Sequence, residues 1–464
     1  MKSLVTALFL AVLLFTTTVT ALPADSTKDD AGSGIYSESS DGDTTSVNYF
    51  GVKWKKRTRS FLITEMESPR QYHYREPFSM IDFNRVDGFF LGLGSSNMAD
   101  FGEHDELGVN GGFGYGFEDK RWQYFMGAEY RLPLEPLPTS ADTVGSRLFY
   151  VPMTLAVGGE FHNQTGTEDH WRARRLENSQ YAFWAREDFR DYYKIAGWSA
   201  HLAFRPMRNR ELRVEWRSDR YEQRDQQVFY GRFGGNKVLP PNPHSTSFVN
   251  FGSITPGDLR ALVITYQAEG ATERSTEAPN FLGDTVEFTE LAGFSTLVQA
   301  ELGHMPGADF GFNRYLMDVR GFNPVIPGLA LDTRLRFEAT TGDAPYQKLQ
   351  ALGGPGSLPA MGYKELMGNR LLLLNTELRL SFAALSSFFE RSDMQLVLMN
   401  DFGFVTYEPK ATSIFEGFSR LEPATIAYNV GVALGHVSGI QIGSYWRTDR
   451  DADARFFFRL ERPF

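Results

Sequence analysis

The 464-residue chain contains no cysteine. Disulfides, thiol nucleophiles, cysteine-based metal sites and lipidation at a cysteine are therefore excluded. Histidine is scarce, with 8 residues, and no HExxH zinc motif occurs. GxSxG is also missing, and with it the nucleophile elbow of serine hydrolases. No apolar run of spanning length follows residue 21, which argues against a helical membrane protein. The net charge is −10 and no large basic block is present. A nucleic-acid partner is excluded on that ground. The glycine-rich run Gly112–Phe117 lies on a predicted strand with no helix after it and no lysine directly following its glycines, so it is no phosphate cradle. Nothing here calls for a cofactor, a catalytic residue or a metal. The acidic stretch Asp449, Asp451, Asp453 has the spacing of calcium ligands. It lacks a glycine at the sharp turn of such loops and reads as a solvated hairpin.

What is present is aromatic and glycine-rich: 39 Phe, 20 Tyr and 44 Gly, with aromatics at 14%. Residues 1–21 carry a positive Lys2, an apolar segment from Leu4 to Phe15 and the small-residue end Val19-Thr20-Ala21. This is the pattern of a secretory signal peptide cleaved near Ala21. The apolar segment is too short for a comfortable membrane anchor. Residues 22–75 read as a disordered acidic linker followed by a basic lead-in containing Lys53, Lys55, Lys56, Arg57 and Arg59.

From residue 76 to 464 one pattern repeats. Leu212, Val214 and Trp216 alternate with Arg213, Glu215 and Arg217; Leu329, Leu331, Leu335 and Phe337 stand opposite Asp332, Arg334, Arg336 and Glu338. Phe113, Tyr115 and Phe117 face away from Gly112, Gly114 and Gly116. A period of two means strands with two unlike faces. Soluble sandwiches also alternate. Here the apolar face is nearly complete, the polar face carries several charges, and segments run to about ten residues, enough for a tilted strand to cross a bilayer. Only a closed barrel satisfies its backbone inside lipid. The fold class is therefore all-β, a transmembrane antiparallel β-barrel. The count is sixteen strands, with twelve and fourteen as alternatives. It takes 84–94 as the first strand and 179–187 as the eleventh of those before the loop at 352–369. It puts Asp119-Lys120 and Asn209 at short turns on one side, and makes 162–178 a long connection on that same side. The alternating end, through Phe456, Phe458 and Leu460 to Phe464, is the last strand.

The stretch GGPGSLPAMGYKELMGNRLLLLNTELRL (353–380) resembles the signature of the BamA/TamA outer-membrane assembly-factor superfamily. The matching residues are Gly353 and Gly354, Ser357-Leu358, Gly362 and Tyr363, Gly368-Asn369, and then Asn375, Glu377, Leu378 and Arg379. Asp401 and Gly403 resemble that family's Asp-x-Gly strand, and 429–435 its following glycine-alternating strand. The likeness is best over 349–464. It implies an outer-membrane location in bacteria and an inward-folding extracellular loop. It also implies a part in inserting or translocating proteins or lipids. The terminal Phe464 resembles the signal by which barrels engage the insertion machinery that assembles them. Two departures stand out. Met361 occupies the place of the family's loop arginine, which pairs with lumen acids such as the one at Asp401. Residues 22–83 are too few and too polar for a periplasmic POTRA module.

The functional expectations follow. The lumen charges form either a hydrated, salt-bridged interior or a dock for the 341–370 loop, with Glu377, Arg379 and Asp401 at the receiving wall. Lys364 and Arg370 are the cations available to replace the lost arginine. Gly88 and Gly92 in the first strand, with Pro463 and Phe464 in the last, mark a weak seam. The protein is read as non-enzymatic and monomeric, in contact with outer-membrane lipid and lipopolysaccharide, its client unknown. A passive or narrow diffusion channel is the alternative function. An outer-membrane lipase is a further alternative, which lacks its residues.

Overall fold

The structure is a computed structural model describing residues 44–49, 52–57, 81–101, 106–134, 153–207, 209–231, 236–247, 251–422, 425–450 and 452–460. Residues 1–21, where a signal peptide is expected, most of 22–75, Pro463 and Phe464 lie outside the described residues. Thr44–Tyr49 pairs with Val52–Arg57 in a hairpin that belongs to a separate unit of the chain.

The remaining strands close into one antiparallel barrel. In chain order they are β1 (Ile81–Asn84), β2 (Gly88–Phe101), β3 (Leu107–Gly116), β4 (Arg121–Pro133), β5 (Thr154–Gly166), β6 (Tyr193–Met207) and β7 (Arg210–Gln223). Then come β8 (Gly257–Glu269, continued by Thr272–Pro279), β9 (Thr285–Leu302), β10 (Gly311–Ile326) and β11 (Leu329–Asp343). The last are β12 (Arg370–Ser381), β13 (Met394–Thr406), β14 (Ala427–His436), β15 (Gln441–Arg447) and β16 (Arg455–Arg459). The two parts of β8 lie end to end against β9, so they count as one stave and the barrel has sixteen.

The expected total is met by a different parsing. Residues 88–101 are the second strand, not the first. β1 precedes them in a tight hairpin, with Ile81 opposite Leu91 and Asn84 opposite Gly88. Asn84 makes the turn: its Oδ1 accepts from the Val86 and Asp87 amides at 2.9 and 2.8 Å, an Asx turn. Gly88 then takes φ +67°, where its lack of a Cβ matters. Conversely, 179–187 is no strand. Arg175–Gln180 is a short helix, α1, continued by a π-helical turn over Tyr181–Ala185. These two differences cancel in the count but shift the parity of the early strands. Asp119-Lys120 therefore lies on the rim that carries the long connections 167–192, 224–256, 344–369 and 407–426. The long connection after β5 is thereby no anomaly. Asn209 does sit on the opposite rim, with the short links at 327–328 and 437–440 and both ends of the barrel chain.

Polarity is inverted relative to a soluble protein. Trp122, Met126, Phe161 and Phe456 are exposed by 62, 65, 63 and 71%, whereas Glu129, Asp318, Arg334 and Glu338 are buried. Along β4 the exposed residues alternate strictly with the buried Gln123, Phe125, Gly127, Glu129 and Arg131. An apolar exterior around a charged interior is stable when the surrounding medium is hydrocarbon.

Candidate functional site

Charge buried in the lumen requires partners. Asp318 on β10 accepts from Arg334 at 3.1 Å, Arg336 at 2.7 Å and Arg320 at 3.1 Å. Glu338 accepts from Arg314 at 2.8 Å and Arg336 at 2.6 Å. Glu129 gathers Arg131, Arg205 and His201 at 2.8, 2.7 and 3.2 Å. These ladders arise because inward residues two apart on one strand, and opposite residues on its neighbour, fall within ion-pair reach.

Two long connections fold into this interior. The 344–369 loop is buried over most of its length. Its glycines allow the tight folding: Gly353 and Gly354 have φ of +110° and +87°. A Cβ on Gly356 would lie 2.1 Å from the Arg172 carbonyl oxygen. Leu352, Leu358 and Met361 pack on Leu371, Leu373 and Ala427 of the wall. That contact explains two of the four leucines after Arg370 in β12: Leu371 and Leu373 point inward beneath the loop, while Leu374 is exposed. Ser357 Oγ accepts from the Gly353 amide at 3.0 Å, and the Ser357 carbonyl accepts from Asn375 at 2.9 Å.

The second connection, 167–192, meets the first. Lys364 Nζ lies 2.8 Å from Asp169 and 2.7 Å from Asp191, and Tyr363 Oη donates to Asp169 at 3.0 Å. Lys348 pairs with Glu168 at 2.7 Å. Arg172 donates to Ser357 Oγ at 3.3 Å, to the Gly353 carbonyl at 3.4 Å and to the Ala351 carbonyl. Trp171 inserts its ring among Arg336, Arg172 and Arg334, 4.1, 4.4 and 5.0 Å from the ring centroid. Such cation–π contacts gain strength where water is excluded. Burial opposes ionisation of Asp169, but Lys364 and Arg172 outweigh it and hold its pKa at about 2. Burial, reinforced by the positive Arg85, pulls His244 down to about 4; its ring stacks on Tyr363 at 5.8 Å.

The expected receiving wall is otherwise engaged. Arg379 pairs with Asp332 at 2.7 Å and with Glu377, and Gln441 donates to Glu377 at 3.3 Å. Asp401 accepts from Asn375 at 2.7 Å and touches no loop cation among the described residues. Of the two candidate substitutes for the missing arginine, Lys364 turns to the 167–192 connection. Arg370 is spent on the carbonyls of Thr340, Asn369, Ser413 and Glu416. Gly362 is fixed through its amide, which donates to Glu365 at 2.8 Å; Arg447 and Arg450 hold that carboxylate from the far side at 2.7 and 2.8 Å. Asp169, Trp171, Arg172 and Asp191 escaped the sequence reading. The only signal for them was the density of charge in 167–192.

At the seam, Gly88 and Gly92 lie one strand inside the edge, Gly92 opposite Gly114 of β3. The edges themselves are β1 and β16, adjacent in the ring. The Phe83 amide of β1 donates to Ser179 Oγ at 2.9 Å. The Phe458 amide of β16 donates to Tyr181 Oη at 3.0 Å, and Tyr181 Oη donates back to the Phe458 carbonyl. Burial pushes the Tyr181 phenol up to about 12, so it keeps the proton it donates.

Solved structures with related architecture exist. A BamA from Haemophilus ducreyi lacking POTRA domains 1–3 is 12% identical with a TM-score of 0.46, the match covering 82% of this chain and 67% of that one. CdiB from Acinetobacter baumannii is 10% identical and CdiB from Escherichia coli 11%, each with a TM-score of 0.36 and 82% of this chain covered. This chain spans 55% and 61% of the two CdiB chains. No protein-family model and no curated protein matches the sequence.

Proposed function

We propose that this chain is a bacterial outer-membrane barrel that works at its seam rather than through its lumen, aiding the insertion or translocation of a polypeptide or lipid. The observation carrying the reading is the seam chemistry. Backbone groups of β1 and β16 are satisfied by two side-chain hydroxyls, from Ser179 and Tyr181. These side-chain bonds, roughly 1 kcal/mol each, can be unmade separately from the backbone bonds that join neighbouring strands of the ring. The lumen points the same way. It is crowded by two inward connections and a network of ion pairs, an arrangement unsuited to steady diffusion of solutes.

Two measurements test this. In planar bilayers the protein should give small, flickering conductance; a large, steady pore would favour the diffusion channel instead. Reconstituted in proteoliposomes, it should speed the assembly of a small urea-unfolded barrel protein several-fold over empty vesicles. No acceleration for a barrel client, and none for transbilayer movement of a labelled phospholipid, would refute the seam reading.

A further inference from the structure

The segment that touches both edge strands touches them with consecutive groups. Arg175 Nε donates to Asp82 of β1 at 3.0 Å, Ser179 takes the Phe83 amide, and Tyr181 takes both backbone groups of Phe458. Phe183 packs edge-on against Phe83 at 5.3 Å and Phe89 at 5.5 Å. Tyr181 is itself braced by Phe189 at 5.3 Å. One short stretch of chain thus grips the first hairpin through three side chains and the last strand through a fourth.

The same stretch is tied at both flanks. Before it, Asp169 and Arg172 are bound to Lys364, Ser357 and Gly353 of the inward loop. After it, Asp188 accepts the Arg85 amide at 3.0 Å, and Asp191 holds both Arg85 at 2.9 Å and Lys364 at 2.7 Å. Lys364 bridges the two flanks, because Asp169 and Asp191 both lie within ion-pair reach of its Nζ; it reinforces the direct bonds from the Asp191 amide to Asp169 at 2.9 Å and from Arg190 to the Ala173 carbonyl at 3.1 Å. A residue that joins both arms of a segment controls how far the segment's tip can move.

We infer that Arg175–Ala185 is a clasp that holds the seam shut, and that the inward loop controls it through Lys364. The clasp regulates the site proposed above and rests on that reading. When Lys364 leaves Asp169 and Asp191, both flanks lose their shared tie to the inward loop and can shift together. Ser179 and Tyr181 then withdraw from Phe83 and Phe458, and the edges of β1 and β16 become available. The sequence of events runs from loop to flank to seam, so an event at the loop rim is felt at the lipid-facing wall.

The experiment uses the full barrel in lipid nanodiscs. The absence of native cysteine allows nitroxide labels at Ile81→Cys and Phe456→Cys, both outward-facing. Amide exchange by mass spectrometry reads the edge bonds, and pulsed electron resonance reads the seam width. The Ser179→Ala/Tyr181→Phe variant should quicken exchange in peptides containing 81–84 and 455–459 by at least about fivefold, one net hydrogen bond at each edge. Peptides of β13 and β14 should not change. A second, longer distance population should appear. Lys364→Met should produce both effects with the clasp hydroxyls intact. Unchanged edge exchange in the hydroxyl variant overturns the clasp; unchanged edge exchange in Lys364→Met overturns control by the loop. Faster exchange with a single narrow distance supports the clasp and overturns lateral opening. If the double variant fails to assemble, Tyr181→Phe alone, which keeps the ring against Phe189, reads the β16 edge.

Discussion

Replacing Lys364 by methionine removes one cation from two buried carboxylates and leaves the stem. Neither acid is abandoned. Asp169 keeps Arg172 at 3.0 Å and Tyr363 at 3.0 Å; Asp191 keeps Arg85 at 2.9 Å and the His244 amide at 2.8 Å. Breaking a buried ion pair by removing one partner ordinarily costs 3–5 kcal/mol. Two carboxylates facing each other without their shared cation raise that cost, and their remaining donors reduce it. About 3 kcal/mol is the expected loss. For a chain of this size that lowers the unfolding midpoint by roughly 3–4 °C. The assay is the heat-modifiability of the barrel on a semi-native gel, repeated for Lys364→Arg, which keeps the charge and should recover at least half the loss. A midpoint within about 1 °C of the parent for Lys364→Met would refute the idea that this lysine pins the two inward connections together.

Further outcomes follow from the same geometry. Asp169 has its folded pKa depressed from 3.8 to about 2, so its stabilising contribution is fully present above about pH 4–5 and is lost as pH falls toward 2, some 2 kcal/mol in all. Acid titration of the midpoint should show this loss, and Asp169→Asn should remove its pH dependence over that range. Gly356→Ala places a Cβ against the Arg172 carbonyl at a residue with φ +69°, so it should undock the loop and expose 350–364 to limited proteolysis. Asp401→Asn should change stability by less than about 1 kcal/mol, because Asp401 meets Asn375 rather than a loop cation. A large drop there would show that the wall, not the 167–192 connection, holds the loop.

The residues that misled are instructive. Ser179–Glu187 sets the continuous apolar run Tyr181–Ala185 between polar ends, and short apolar runs cannot be divided between strand and helix by periodicity alone. Its neighbours decided the matter, since the edges of β1 and β16 take hydroxyls from a helical turn. Residues 81–91 concealed a hairpin because Asn84 and Gly88 were read as ordinary strand residues. Lys364 was noted as a cation within the loop, yet its partners lie 173 and 195 positions earlier in the chain.

Alone, the order of residues determined which strands have an apolar outer face and a charged inner one. It also determined that the wall must close, and that a glycine-rich loop stands before β12. Those properties are local: side chains alternate every two residues whatever the rest of the chain does, and hydrocarbon demands paired backbone. Only the tertiary structure decided where the loop's charge goes and what covers the seam. Lys364, Asp169, Asp191, Ser179 and Tyr181 acquire their roles from distances between remote segments, and such distances exist only once the barrel has closed around them.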